Sequence, residues 1–333
     1  MNAPPDDPAP RVSIVVITAD RLVDLRRCLG ELERHLRESG APSAEVLTVH
    51  APDDHDALAM VRREFPWVQA HRAERRGIGH QRNLGAQLAR GDVIAYLDDD
   101  AWPRPGWLAT LAAAFADERV VAASGPVLRG DGSRQFGRLA ASALGRIVAV
   151  ADDGATPRRM APTFSGCNLS LRRSALFAAG GFDENLVYQP DDMDVCWRLF
   201  ARAGRRAETF VWRPAIAVHH ESSPGPYRRT LQDRDWFTVA RDTVYFAFRH
   251  AGRWRAFLGA AVIQLPKLVR FTRWLATGRL GPLPFVRCVA RLLGGIAAGY
   301  AKGLCAAAVL PLAPLPAAGP VPEATRPRAP QPV

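Results

Sequence analysis

Arg82-Asn83-Leu84-Gly85-Ala86-Gln87-Leu88-Ala89-Arg90-Gly91-Asp92-Val93-Ile94-Ala95-Tyr96-Leu97-Asp98-Asp99-Asp100 is the stretch on which the fold turns. Asn83 to Leu88 reads as the end of a helix that stops near Gly91, and Asp92 to Leu97 as a short apolar strand. That strand runs straight into three acids, and Trp102-Pro103-Arg104-Pro105-Gly106-Trp107 then closes a loop before another helix. An isolated triple Asp is usually a solvated loop; one delivered by a buried strand is a candidate site.

The rest of the chain sets the context. Val12 to Ile17 is a β-branched run, a buried strand, and Leu22, Leu25, Cys28, Leu29 and Leu32 recur at helical spacing behind it. Val46 to Val49 gives a second strand, and Asp53-Asp54-His55-Asp56 opens a helix through Val61. Strands and helices alternating at these lengths predict βαβ units and an α/β fold with a mostly parallel sheet. Ligands of such sheets bind outside the carboxyl ends of the strands, where Asp98-Asp99-Asp100 falls. From Val120 to Pro162 the pattern is irregular. Ser165 to Leu171 then reads as a strand, Asp192 to Ala203 as a helix stopped by Gly204, and Ala215 to Val218 as a strand ending at His219-His220. The expected organisation is a tail over 1–10, an α/β domain over 11–242, a basic amphipathic helical segment over 243–309 and a Pro-rich disordered tail over 310–333.

Carboxylates two residues apart across a tight turn suit Mg²⁺ or Mn²⁺, which take hard oxygen ligands and keep positions open for phosphate. The block from Arg82 to Pro103 resembles family 2 of the GT-A glycosyltransferases, in which an Arg-Asn helix precedes a D-x-D motif. The resemblance, which covers about residues 11–250, implies a Rossmann-like GT-A sheet flanked by helices and inverting transfer of a sugar from a nucleotide-sugar donor to a hydroxyl. It makes Asp98 and Asp100 the metal ligands, and Asp98, Asp99, Arg82 and Thr18 contacts to the nucleotide-sugar. The second strand departs from the family pattern: Val49-His50-Ala51-Pro52-Asp53-Asp54 stands where an Asp and a Gly-Ser turn are usual, so the donor base stays open.

Two further blocks resemble the family in the expected order. Phe164-Ser165-Gly166-Cys167-Asn168 is similar to its donor-sugar loop, which implies Gly166 and Asn168 as donor contacts. Gly181, Phe182 and Asp183 fall on the acceptor side. Asp191-Asp192 opens a helix with an Asp194, Cys196, Arg198 continuation, and the resemblance makes Asp192 the general base with Asp191 beside it. Asp residues there are also ordinary first-turn helix partners. His219 and His220 match a position that completes the metal or diphosphate site, and side-chain alternation along a strand lets only one of them point inward.

Net charge is +11, yet the first 242 residues are balanced. Thr243 to Gly303 carries ten Lys or Arg and no acid. Those charges interleave with apolar stripes through Phe257, Leu258, Leu265 and Val269, then Phe285, Val289 and Leu292, which suits an anionic membrane surface better than nucleic acid. Pro266 is expected to kink its helix, and Leu292 to Leu310, interrupted by glycines and Lys302, to lie on a bilayer rather than cross it. Five scattered cysteines form no C-x-x-C pair, which argues against a thiolate metal site, and no secretory signal is visible. Together these features predict a cytoplasmic enzyme on the inner face of the cell membrane, with a cell-envelope glycan or lipid-linked saccharide as acceptor. A dinucleotide-binding fold fails because Gly77-Ile78-Gly79 lacks a third glycine and a preceding strand. An inactive sugar-nucleotide binder is the first alternative, and a basic nucleic-acid-binding protein the second.

Overall fold

In a computed structural model, residues 12–37, 43–187, 190–221, 234–259, 262–305 and 312–313 are described. The first half runs β1 (Val12–Thr18), α1 (Leu22–Leu36), β2 (Ala44–His50), α2 (His55–Glu64), β3 (Gln69–Arg72), α3 (Ile78–Leu88), β4 (Val93–Asp98), β5 (Ala101–Pro103) and α4 (Trp107–Phe115). Then come β6 (Ala122–Ser124), β7 (Val127–Leu128), β8 (Arg134–Phe136), β9 (Leu139–Ser142), β10 (Ile147–Ala149), β11 (Met160–Thr163), β12 (Leu169–Arg172), α5 (Arg173–Ala178), α6 (Asp191–Arg202), β13 (Phe210–Trp212) and β14 (Val218–His220). Four helices close the described chain: α7 (Trp236–His250), α8 (Arg253–Gly259), α9 (Leu265–Ala276) and α10 (Pro282–Leu304).

The main sheet has the order β13-β6-β12-β4-β1-β2-β3. β1 pairs in parallel with β2 and β4, and β2 with β3, whereas β12 is antiparallel to both its neighbours. β1 is buried along its whole length because both sheet faces are covered. Val12, Ile14 and Val16 pack with Leu25, Leu29 and Trp107 of α1 and α4, while Val15 and Ile17 pack with the layer holding Ala86 and Met193. The period-two alternation of a strand thus builds a three-layer domain from an unbroken apolar run.

Four expectations need revision. β3 was not foreseen, since Gln69-Ala70-His71-Arg72 has little apolar signal and is held by pairing with β2. The 120–162 region forms β6 to β11, including a sheet of order β5-β14-β7-β8 that stands against the acidic turn. Ser165 to Leu171 is not one strand: a single 3₁₀ turn over Gly166–Asn168 precedes β12. Pro266 does not kink a helix but starts α9, where its missing N–H costs nothing.

The boundary expected at 242/243 falls inside α7, a helix with ten buried residues. α7 is fastened to the α/β domain by Tyr245 Oη, which donates to Asp183 (2.8 Å), and by His250 Nε2, 2.8 Å from Asp194. α10 packs along α7 so closely that a Cβ at Gly299 would lie 2.7 Å from Arg241 O and from Val244 Cβ. Of the expected tails, only 312–313 are described, and they are docked: Leu312 N donates to Phe177 O and Gln87 Nε2 to Ala313 O. The rest of both tails lies outside the described residues.

Candidate active site

The carboxyl ends of β1 and β4 lie side by side, Ile17 opposite Asp98, so Thr18 and the acidic turn share one edge. Thr18 Oγ1 donates to Asp99 Oδ2 (2.8 Å), and Arg21 Nη1 reaches Asp99 Oδ1 (3.0 Å) and Asp100 Oδ2 (3.2 Å). Burial pushes the Asp99 carboxyl up to about 7; Arg21 and Thr18 oppose this, and Asp100 and Asp98 add to it. Asp99 and Thr18 therefore form an internal bracket under the turn, while Asp98 keeps a partly open side chain.

β14 runs antiparallel to β5 and sets His220 opposite Ala101, next to the turn. His220 Nε2 lies 3.2 Å from Asp100 Oδ1 and 4.0 Å from Asp98 Oδ2. His219 faces the other way: its ring stacks on Trp102 at 5.7 Å, and Nδ1 lies 3.3 Å from Arg129 O. Of the histidine pair, His220 belongs with the carboxylates and His219 does not. His220 Nδ1 lies 3.2 Å from Gln135 Oε1. With that oxygen accepting, the Nε2 lone pair points at carboxylate oxygens, an arrangement that a cation between them stabilises. Two hard carboxylates and an imidazole fit Mg²⁺ or Mn²⁺.

Arg82, buried on α3, joins this turn to α6. Its Nη2 lies 3.3 Å from Asp98 Oδ1, and its Nη1 is ion-paired with Asp191. Burial raises the Asp191 carboxyl, and Arg82 opposes the rise. Asp192 has different partners: Oδ2 accepts from Gly166 N (3.0 Å) and Oδ1 from Met193 N (2.7 Å). Burial first, and the Asp191 charge second, push Asp192 up to about 6, against Arg82. A Cβ at Gly166 would lie 3.0 Å from Arg82 Cζ, so glycine lets the guanidinium and the Gly166 amide share this corner. Farther along α6, burial would raise Asp194, but Arg198 and His250 outweigh it and hold the carboxyl well below its usual range.

Four expected contact residues are placed differently. Asn168 is fully buried; its Nδ2 donates to Gly125 O and Ile216 O, and its Oδ1 accepts from Trp107 Nε1. It braces the loop and presents nothing to a donor sugar. Phe182 is buried edge-on against Tyr96, and Asp183 is buried against Tyr245. Gly181, at φ 68°, lies at the turn that lets the Phe182 amide and carbonyl meet Asn83 (2.7 and 3.0 Å). The Gly181-Phe182-Asp183 segment is thus a clamp behind the site and not a surface facing an acceptor.

Sequence reasoning missed Arg21, Asn83, Gln135, Cys167 and His250. Asn83 was visible as half of the Arg-Asn pair; its role needed the fold. Arg21 sits directly after the Thr18-Ala19-Asp20 turn, and nothing in its surroundings distinguishes it from other surface arginines.

Residues 13–178 match the family model described as glycosyl transferase family 2. The pre-mycofactocin glycosyltransferase of Mycobacterium tuberculosis is 28% identical over 249 residues, 73% of this chain and 47% of that protein. The glucosyl-dolichyl phosphate glucuronosyltransferase of Haloferax volcanii is 27% identical over 156 residues, 44% of this chain and 49% of that protein. This chain thus spans about half the length of the curated relatives it matches. Among solved structures, the mannosyltransferase of Pyrobaculum calidifontis in complex with GDP-Man and Mn²⁺ aligns with TM-score 0.52 and 19% identity, over 90% of this chain and 88% of that one. Residues 1–349 of Staphylococcus aureus TarS with UDP-GlcNAc align with TM-score 0.50 and 12% identity, over 88% and 91%. The fold shared with these neighbours is GT-A.

Proposed function

From membership of glycosyl transferase family 2, carried by residues 13–178, we propose that this chain is a divalent-metal-dependent, inverting transferase. It moves a sugar from a nucleoside-diphosphate donor to a hydroxyl. The observation that carries this reading is Arg82, whose one guanidinium holds both Asp98 of the acidic turn and Asp191 beside the base. A guanidinium that ties the acidic turn to the first turn of α6 supports a metal side and a base that act on one donor, as an in-line displacement requires.

Asp98, Asp100 and His220 would hold the cation, which when bound neutralises the leaving diphosphate. Asp192 takes the proton of the acceptor hydroxyl as that oxygen attacks the anomeric carbon, and inversion follows from attack opposite the leaving group. A carboxylate raised to about 6 is a stronger base than a free Asp and is still ionised at neutral pH. Asp191 is taken up by its ion pair with Arg82, which leaves Asp192 to receive the proton. The neighbours with GDP-Man and UDP-GlcNAc share one fold, so the fold does not select the base. Beyond the ends of β1 and β2, Asp20 and Asp53 both pair with Arg76, a corner that would suit a contact to the donor base. A panel of nucleotide-sugars, each with Mn²⁺ or Mg²⁺, tests the reading through metal-dependent nucleotide release; release from none of them, with or without acceptor, overturns it.

The acceptor is a cell-envelope or lipid-linked saccharide reached on the inner face of a membrane. Support comes from the C-terminal helices, where Trp254 (80% exposed), Leu258 (72%), Val269 (58%) and Leu283 (62%) stand open among the basic side chains. Three Arg (270, 273, 279) and Trp274 line a cleft there. α10 is the one described helix with the length and apolarity to span a bilayer. Its glycine contacts with α7 favour lying along the surface, because crossing would strip it from that helix. The relative named for a dolichyl-phosphate acceptor points the same way.

A further inference from the structure

We infer that Cys167 is a ligand of the same cation site, making it a carboxylate–imidazole–thiolate set that takes soft divalent ions such as Zn²⁺ ahead of Mg²⁺. The inference rests on the metal reading above and adds a donor that neither the acidic turn nor the histidine pair reveals. Ligand atoms of Asp98, Cys167 and His220 lie within 4.8 Å of one another, close enough for one ion to touch all three. The fold produces this convergence from three elements. β12 is antiparallel to β4 with Leu169 opposite Tyr96, so the 3₁₀ turn before β12 comes alongside Asp98. The pairing of β14 with β5 brings His220 from the other side.

The turn carrying the thiol is rigid. Asn168 fixes it with three buried side-chain hydrogen bonds, and Gly166 N fixes it to Asp192. A buried cysteine is ordinarily just a small apolar side chain, and Cys167 does belong to the buried cluster that also holds Leu97, Ala101 and Val218. Here, however, its Sγ also lies 3.3 Å from Ser165 Oγ and shares a corner with a carboxylate and an imidazole. When a cation enters, the S–H bond gives its proton to solvent as the sulfur–metal bond forms. A mixed O, N, S site follows the Irving–Williams order, so Zn²⁺ outcompetes Mn²⁺, and Mg²⁺, which disfavours sulfur, is weakest.

The test is a Co²⁺ titration of the full chain, read by absorption spectroscopy, alongside Zn²⁺, Mn²⁺ and Mg²⁺ calorimetry. The expected result is a thiolate-to-Co²⁺ charge-transfer band in the near-ultraviolet at one equivalent. That band should vanish in both Cys167→Ser and Asp98→Asn, which separates it from the exposed Cys305. Zn²⁺ affinity should fall in Cys167→Ser by more than the ~10–100-fold that losing an outer-shell partner costs, with Mg²⁺ affinity little changed. Cys167→Ala gives the same comparison should the serine variant misfold. Stoichiometric Co²⁺ binding without the band refutes the thiol ligand and leaves the carboxylate–histidine site standing; failure of any divalent ion to bind refutes both.

Discussion

Replacing Asp192 by Asn should cost activity and add stability, two effects that share one cause. The carboxyl is held at about 6 by burial and by Asp191, against an ordinary value of 3.8. A folded-state value raised above the unfolded one means that ionisation opposes folding, so this group's share of stability is lost as pH climbs from 3.8 through about 6. That rise corresponds to roughly 3 kcal/mol above that window. Asn carries one acceptor oxygen where the carboxylate has two, so one of the bonds from Gly166 N and Met193 N is given up, at about 1 kcal/mol. The net gain should be about 1–2 kcal/mol at pH 7.5, a rise in Tm of a few degrees, shrinking to nothing at pH 4. Turnover should meanwhile fall about 10²–10⁴-fold. In the wild type, kcat/KM should drop about tenfold between pH 7 and pH 5, as the ionised fraction falls from about 0.9 to about 0.09, and the variant should lose that acid limb. Calorimetric scans and pH–rate profiles read both halves. A variant that is less stable at pH 7.5, or an acid limb that survives in Asp192→Asn, refutes the assignment. Asp191→Asn supplies the contrast, because it removes one of the two carboxylates paired with buried Arg82 and should lower stability.

Other expectations follow from the same geometry. Asp100→Ala should abolish transfer and weaken Mn²⁺ binding; full activity in excess chelator would contradict it. Gly166→Ala should fold but lose at least tenfold in kcat, since the new methyl must push aside a guanidinium pinned by two ion pairs; unchanged kinetics would show that Arg82 has room to move. Gly299→Val should loosen α10 and lower Tm by several degrees while leaving nucleotide-sugar binding intact, as thermal scans and calorimetry can check. The protein should co-sediment with vesicles containing anionic lipid and not with neutral ones, salt should release it, and Arg270→Gln with Arg273→Gln should weaken it; equal recovery from both vesicle types would refute surface docking by charge.

The α/β framework was legible because β1, β2 and β4 are long, apolar and bounded by turn residues, signals that survive without tertiary context. β3 was not, since three polar residues and an alanine become a strand only through the edge that β2 offers them. At the site, residue type and order singled out the acids and Arg82 as candidates but not which way side chains point. That direction separates His220 from His219, and it turns Asn168 and Asp183 into braces. Cys167 shows the same limit from the other side: counting cysteines by spacing along the chain misses a thiol whose companions, Asp98 and His220, lie 69 residues before it and 53 after it.

α7 touches α10 along one side and, along another, grips Asp194 on the helix whose first turn holds Asp192. On the proposed reading it would act as a strut of fixed length between the basic, apolar C-terminal helices and Asp192. A bilayer met by those helices would then lie at one set height and tilt relative to Asp192. Hydroxyls tethered at that height would come within reach and those on longer or shorter stalks would not, which would make acceptor choice partly a matter of distance from the membrane.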